Sequence, residues 1–131
     1  MNSMRVNTNI SNVLPKELTI LNNFHLWRFL SHNKSKPTKT PVSKSGYSVG
    51  YNDPNLPMSF IEAFNIATSK EWGLGITLKD GLFIDSLNGY LWCFDFDGFA
   101  ELNGTQVDDG VLEILDQFNS YTEMSPSGTG F

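Results

Sequence analysis

The chain has 131 residues, of which 40% are hydrophobic and 13% aromatic, enough for one modest core but hardly for two. No apolar run approaches the ~20 residues of a bilayer-spanning helix, and the opening segment lacks the apolar stretch of a signal peptide, so we expect a cytoplasmic protein with no membrane partner. The net charge is −5, and a single cysteine, Cys93, excludes an internal disulfide and a paired-cysteine zinc site.

The charged residues are divided unevenly along the sequence. Residues 1–50 hold seven of the nine Lys and Arg but only one acid, whereas the remainder holds two basic residues and thirteen acids. Two interpretations are open: two differently solvated surfaces, or a basic region that attracts phosphates toward a carboxylate site. The cations of that basic region are Lys34, Lys36, Lys39 and Lys44.

The first third of the chain predicts an arm, a short helix and a hairpin. Residues 1–13 are polar and rich in Asn, which indicates a flexible N-terminal arm, and LPKELTIL at 14–21 predicts a short helix. FHLWRFL at 24–30 is an apolar run typical of a strand covered on both faces, and TKTPVS at 38–43 predicts the returning strand. Because proline prefers an edge position, Pro41 places that strand at the edge of the sheet.

A helix is predicted after the next loop. Ser59 is followed three residues later by Glu62, the spacing of a capping box. FIEAFNIATSK at 60–70 then has apolar residues at helical spacing, which predicts one buried face. The residues expected on that face are Phe60, Ile61, Phe64, and Ala67 or Ala63.

Three further strands are predicted in the middle of the chain. WGLGITL at 72–78 predicts a strand in which Gly73 and Gly75 mark close backbone approach or a bulge. The segment that follows predicts two strands joined across a turn at Asn88 and Gly89, and the second of them carries two aspartates.

The last third predicts one more helix and one more strand. VDDGVLEILDQF at 107–118 predicts a short amphipathic helix with Asp108 or Asp109 as its cap, and SYTEM at 120–124 predicts a strand. Strands interleaved with a few helices indicate an α+β fold with a mixed or antiparallel sheet and flanking short helices. We expect residues 14–131 to form a single domain.

Several side chains in the apolar segments are expected to be structural. Those expected in the core, because each lies in an apolar strand, are Trp27, Trp72, Trp92 and Cys93. His25 has no partner at metal-ligand spacing, which favours a structural or surface role. Arg28 is a lone cation in an aromatic strand and therefore needs a partner, either a phosphate or an acid.

The aspartates of FDFDG are the first candidate site. On a strand, Asp95 and Asp97 would leave the same face together with Cys93, while Phe94 and Phe96 point to the other face. Two close carboxylates repel each other unless a cation lies between them, and hard cations such as Mg²⁺ or Mn²⁺ prefer oxygen ligands. The alternative interpretation is an exposed strand end with two solvated acids.

Two chemistries use such a pair. In nucleotidyl transfer the aspartates hold metals that orient a triphosphate. In a phosphatase of the haloacid dehalogenase type, Asp95 would be the nucleophile and Asp97 its acid/base partner. Against the phosphatase, Phe99 replaces the small residue usual after the glycine, and the motif lies deep in the chain with no room for the later lysine and acidic motifs.

The Ser/Gly loop at the end of the sequence is the second candidate site. In YTEMSPSGTGF, backbone N–H groups and hydroxyls after the predicted strand can line an anion-binding nest. Such a loop by itself is more often a turn than a phosphate cradle.

The order of these segments resembles a known family. It is similar to the bifunctional primase-polymerase domain of the archaeo-eukaryotic primase superfamily, of the type found in phage, prophage and plasmid replication proteins. The segments that carry the resemblance are, in chain order, LPKELTILNNFHLWRF, KPTKTPVS, SFIEAFNIAT, WGLGITL, FDFDG and YTEMSPSGTGF. The resemblance runs from about Leu14 to Phe131 and covers only the amino-terminal part of that domain.

The resemblance implies a role for each motif. Asp95 and Asp97 correspond to the family's metal-binding catalytic acids, with Mg²⁺ or Mn²⁺ as cofactor. The residues that correspond to its triphosphate loop are Ser127, Gly128 and Gly130. The residues that would meet template or nucleotide phosphates are Lys34, Lys36, Lys39 and Lys44. The implied partners are nucleoside triphosphates, a single-stranded template and a replicative helicase, in the cytoplasm of a bacterial host or phage-infected cell.

The sequence also departs from the family pattern. The family's histidine would follow Phe131, its third acidic motif would come later still, and LFIDSLNGYLW before the aspartates is longer than the usual spacing. We therefore expect a domain incomplete at its C-terminal end, with little or no polymerase activity alone. The alternative from a different class is a catalytically incomplete module that binds nucleic acid or a protein partner, and a haloacid dehalogenase-like phosphatase is the third.

Overall fold

The structure is a computed structural model that describes residues 9–31, 37–78, 81–99, 107–125 and 129–131. Its elements in chain order are α1 (Ile10–Val13), α2 (Lys16–Thr19), β1 (Phe24–Leu30), β2 (Thr38–Val42), α3 (Phe60–Lys70), β3 (Gly73–Ile76), β4 (Phe83–Ile84), β5 (Gly89–Tyr90) and α4 (Asp109–Phe118). They fall into two compact units, Met1–Leu91 and Trp92–Phe131. The class is α+β, with antiparallel sheets and a few short helices. None of the helices in the described ranges is long and apolar enough to cross a membrane.

The first unit is organised around strand β1. Strands β2 and β3 pair antiparallel with β1 on its two sides, giving the order β2-β1-β3. Leu26 lies opposite Val42 on one side and Leu74 on the other. The predicted hairpin and the edge position of Pro41 are confirmed. Both Leu26 and Val42 are fully buried, so the centre of the sheet is also the centre of the core.

Helix α3 packs against this sheet. Ser59 caps it as predicted, since its hydroxyl accepts a hydrogen bond from the Glu62 N–H at 3.3 Å. The buried cluster beneath the helix consists of Phe24, Leu26, Val42, Met58, Phe60, Ala63 and Ala67. The prediction for Ile61 is wrong: its side chain is 70% exposed. It follows Phe60 by one position, which is a rotation of about 100° around the helix and away from the buried stripe.

The N-terminal helices differ in extent from the prediction. Helix α1 lies within the segment expected to be a flexible arm, and Ile10 packs against the core from there. Helix α2 is only one turn long and begins after Pro15, which lies at the N-cap. Burial of Ile10 and Leu14 against the sheet explains why this polar segment acquires a helical turn.

The predicted hairpin at Asn88 and Gly89 is present but short. Strands β4 and β5 pair antiparallel, and Asn88 between them adopts a left-handed conformation with φ of 47°. Each strand has two residues, and the pairing ends at Tyr90. The second strand therefore stops well before the two aspartates.

The second unit contains α4. Asp108 caps it as predicted, since its carboxylate accepts hydrogen bonds from the N–H groups of Gly110 at 2.9 Å and Val111 at 3.4 Å. The prediction of a strand at 120–124 is wrong: these residues form no strand, and their side chains are mostly exposed, so the described part of the chain gives them no sheet to pack against. Within it, the Tyr121 hydroxyl donates to the Glu123 carboxylate at 2.9 Å. Burial and that neighbouring carboxylate raise the pKa of Tyr121 to about 12.

Candidate functional site

The two aspartates lie on an exposed segment of the second unit. Residues 91–97 form no regular strand, so the prediction that a strand carries Asp95 and Asp97 is wrong. Both carboxylates are exposed. The core assignments of Trp92 and Cys93 are also wrong: the indole is 78% exposed, and the thiol is exposed as well. The apolar residues of this segment are too exposed to hold it in a sheet.

Two aromatic contacts hold the segment within its unit. The ring of Phe94 lies 4.7 Å from that of Phe118 in α4, and the ring of Phe96 lies 6.5 Å from that of Phe99. Between the last two, Gly98 has φ of +75°, a conformation that side chains with a Cβ rarely adopt. The chain therefore turns directly after Asp97, and the glycine of FDFDG makes that turn possible.

Backbone hydrogen bonds join the aspartate segment to the end of the Ser/Gly loop. The Phe96 N–H donates to the Phe131 carbonyl at 2.9 Å, and the Phe131 N–H donates to the Phe96 carbonyl at 3.0 Å. This reciprocal exchange is the pattern of an antiparallel pair. The Ser125 N–H also donates to the Gly130 carbonyl at 2.7 Å, which closes the loop on itself.

Gly130 lies in close contact with the aspartate segment. A Cβ atom on Gly130 would lie closer than 3.0 Å to the Phe96 carbonyl oxygen and 3.2 Å from Cα of Asp97. Only a glycine fits against this backbone. The structure thus brings the backbones of Asp97 and Gly130 into close contact. Ser127 and Gly128 lie outside the described residues.

The donor set of this site consists of carboxylates. Within the described part of the chain, no group of three or more His, Cys, Asp and Glu side chains is placed to hold a metal ion. Two exposed carboxylates nevertheless suit Mg²⁺, which usually binds one or two carboxylates and keeps its other positions for water and substrate phosphates. Asp95 and Asp97 fit that description.

The predicted basic residues lie in the first unit, as far as the structure describes them. Lys39 on β2 places its Nζ 4.3 Å from the centre of the Trp27 ring. Lys44, in the turn after β2, forms an ion pair with Glu62 of α3, and both side chains are about half exposed. Lys34 and Lys36 lie outside the described residues.

The structure adds three residues that the sequence did not identify as a group. The Arg28 guanidinium carbon lies 5.7 Å from the centre of the Trp72 ring, so within the described residues this cation contacts an aromatic face. Lys70 Nζ lies 4.5 Å from the same ring and donates to the Lys44 carbonyl at 2.7 Å. Because these contacts join three segments that are distant in the sequence, no local pattern could have predicted the group as a whole.

A scan against protein-family models found no match to the chain, and a search of the curated proteins found none. The resemblance to primase-polymerases therefore rests on the order and content of the motifs.

Proposed function

We propose that the chain is a nucleotidyltransferase domain of the primase-polymerase type, in which Asp95 and Asp97 bind Mg²⁺ or Mn²⁺ beside a Ser/Gly triphosphate loop. The observation that carries the proposal is the pair of backbone hydrogen bonds between Phe96 and Phe131. It supports the proposal because the two motifs are distant in the sequence, and a nucleotide site needs them side by side.

Each motif has a chemical task in this proposal. The carboxylates of Asp95 and Asp97 would hold the metal, which supplies positive charge to the triphosphate and to the attacking and leaving oxygens. The backbone of Gly130, with Ser127 and Gly128, would receive the triphosphate. Glycine at position 130 lets this residue lie directly against the backbone of Phe96 and Asp97, and the carboxylates and phosphate-binding groups would then act on the same triphosphate.

The remaining assignments belong to the same proposal. Lys39 and Lys44, with Lys34 and Lys36, would contact template or nucleotide phosphates. The substrates would be nucleoside triphosphates and a single-stranded template, and a replicative helicase would act with the domain in the cytoplasm of a bacterial host or phage-infected cell.

Calorimetric titration of a nucleoside triphosphate in the presence of Mn²⁺ tests the site. We expect binding by the full chain, no binding after chelation of the metal, and loss of binding in the variant Asp95→Asn with Asp97→Asn. Asparagine retains the size of the side chain and removes the charge that holds the cation. The matched control is Glu113→Gln with Asp116→Asn, two exposed acids of α4 in the same unit, which should bind as the parent chain does.

Two results would contradict the proposal. One is metal-dependent nucleotide binding that survives the Asp95 and Asp97 substitutions, because the acids would then have no part in it. The other is metal-dependent hydrolysis of p-nitrophenyl phosphate that Asp95→Asn abolishes, since this would support the phosphatase chemistry instead.

A second candidate function is a nucleic-acid-binding module without catalysis. It is favoured by the cations gathered near Trp72. The titration separates the two candidates: a folded chain that binds oligonucleotides but no metal–nucleotide complex would be such a module.

A further inference from the structure

The turn after β2 is a rigid element at the surface of the first unit. Ser43 and Tyr47 close it with two hydrogen bonds: the Ser43 N–H donates to the Tyr47 carbonyl at 2.9 Å, and the Tyr47 N–H donates to the Ser43 hydroxyl at 3.2 Å. Inside it, the Gly46 N–H donates to the Ser43 carbonyl at 2.8 Å. These bonds fix the backbone of residues 43–47 and with it the direction of the side chains that the turn presents.

Gly46 seats this turn on the Trp72 ring. Its φ is +90°, and a Cβ atom at this position would lie 2.9 Å from Cη2 of Trp72 and 3.7 Å from Nη1 of Arg28. The absence of a side chain at residue 46 therefore lets the turn approach both the ring and the guanidinium. Both the conformation and the space favour glycine here.

Two cations from β1 and α3 meet at the Trp72 ring, and the turn carries a third cation, Lys44. Arg28 of β1 and Lys70 of α3 both lie over Trp72, and Lys70 also donates to the carbonyl of Lys44 in the turn. Lys44 itself is paired with Glu62, but both partners are about half exposed, and an exposed ion pair is weak. A phosphate can therefore compete with Glu62 for Lys44 at little cost.

The turn also carries an exposed aromatic side chain. Tyr47 directly follows Gly46, and its side chain is 77% exposed although its backbone is fixed at both N–H and C=O. The same turn borders a cleft of about 450 Å³, whose lining includes Ser43, Lys44, Ser45 and the acid Asp53. The turn thus presents an exposed ring, two hydroxyls and a cation on one hydrogen-bonded backbone.

We infer that residues 43–47, with Arg28 and Lys70, form a binding surface for single-stranded nucleic acid. Cations that follow a backbone, together with an aromatic ring on which a base stacks, are the two features that such surfaces combine. An acidic peptide would use the cations but would leave the exposed ring of Tyr47 without a function. The inference deepens the proposed function and rests on it in one respect: the strand bound here would be the template.

Fluorescence anisotropy of labelled oligothymidine with the full chain, in EDTA, tests this surface. We expect Tyr47→Ala to weaken binding by about tenfold, since loss of one stacked base has an effect of that size, and Tyr47→Phe to bind as the parent does. For Lys70→Gln we expect the slope of log K against log salt concentration to become shallower by about 0.7, because one phosphate contact is lost. Lys16→Gln, an exposed lysine of α2, is the matched control and should leave that slope unchanged.

Competitors identify the ligand. Oligothymidine and oligouridine distinguish DNA from RNA as the preferred strand. The inference would be overturned if the chain bound duplex DNA as tightly as oligothymidine, or if polyglutamate displaced the labelled strand as well as unlabelled oligothymidine does. Parental affinity in both Tyr47→Ala and Lys70→Gln would also overturn it. Because EDTA removes divalent metal, the variant with Asp95→Asn and Asp97→Asn should bind the oligonucleotide normally. Failure of the metal–nucleotide site and failure of this surface are thereby observed separately.

Discussion

The indole ring of Trp27 lies directly against the backbone of Gly73 in the neighbouring strand. A Cβ atom on Gly73 would lie closer than 3.0 Å to three atoms of that ring, and the Trp27 Nε1 donates to the Leu74 carbonyl at 3.1 Å. The next pair repeats the arrangement, because a Cβ atom on Gly75 would lie 2.7 Å from Nε2 of His25. The two glycines of β3 therefore provide the space for two rings of β1, as the close backbone approach predicted from the sequence requires.

Substituting Gly73 should destabilise the first unit strongly. In Gly73→Ala the new methyl group would overlap a ring that is both buried and hydrogen-bonded, and overpacking of this kind costs about 1–3 kcal/mol in the free energy of unfolding. Urea denaturation measures the loss. The control is Gly50→Ala, where the nearest atom to a new Cβ is 4.0 Å away and a far smaller change is expected. Equal stability of the two variants would contradict the packing described for Trp27.

His25 should make the protein less stable as the pH falls. Burial, and to a lesser extent the charge of Lys39, lowers the pKa of His25 from 6.5 to about 4. Its Nδ1 is 3.0 Å from the Thr77 hydroxyl. Between these pKa values the unfolded chain binds a proton that the folded chain does not, so stability is complete above pH 6.5 and is lost on acidification toward pH 4. The loss from pH 7 to pH 5 should be about 2 kcal/mol.

The contribution of His25 to stability is measured by urea denaturation of the parent chain and of His25→Gln at several pH values. The variant retains a polar side chain near Thr77 but cannot titrate. The difference between the two chains in the free energy of unfolding should change across this pH range. A difference that stays constant from pH 7 to pH 4.5 would show that the histidine is protonated equally in both states.

The N-cap of α3 should contribute measurably to stability. Ser59→Ala removes the acceptor of the Glu62 N–H and should cost about 1 kcal/mol. Ser69→Ala is the matched control, since the Ser69 hydroxyl donates to the Ile66 carbonyl near the exposed end of the helix, where a change within about 0.5 kcal/mol is expected. Thermal or urea unfolding compares the two. A larger effect at Ser69 than at Ser59 would contradict the capping role.

The thiol of Cys93 should react readily in the folded protein. It is exposed, with its Sγ 3.8 Å from the Phe94 carbonyl oxygen. A colourimetric thiol reagent should therefore modify the native chain at a rate close to that of the urea-unfolded chain. Strong protection in the native state would instead restore the buried, strand-like position that the sequence predicts for this residue.

The first unit could largely be predicted from the sequence because its signals are local. A proline at residue 41 identifies an edge strand, Ser59 with Glu62 identifies a helix start, and paired glycines identify close approach. Each signal concerns a few neighbouring residues, and each corresponds to one element of the fold. Ile61 shows where such local signals fail: it is apolar, but it lies on the exposed side of α3, and apolar character alone does not determine which side packs against the sheet.

The second unit could be predicted only in part, because its decisive contacts are not local. The alternation of Trp92, Phe94 and Phe96 with polar residues predicts a strand face. A strand, however, also needs a backbone partner, and the described structure provides one for Phe96 through Phe131. The acidic and glycine motifs were identified from the sequence, but their closeness is a product of that single pairing. The cations around Trp72 were likewise invisible to local patterns.

Strand β1 pairs with β2, which is close to it in the sequence, and with β3, which is distant. This difference predicts the order in which the two pairings form during folding. The Thr38 hydroxyl bond to the Leu30 carbonyl spans 8 positions, whereas the Trp27 bond to Leu74 spans 47. Closing the longer loop costs more chain entropy, so we expect the hairpin to form early and β3 to dock late. Stopped-flow kinetics should then show that Gly73→Ala accelerates unfolding and leaves the folding rate nearly unchanged. The unfolding rate of the first unit would then depend on the close contacts of Gly73 and Gly75 in β3, which are the last to form and the first to break.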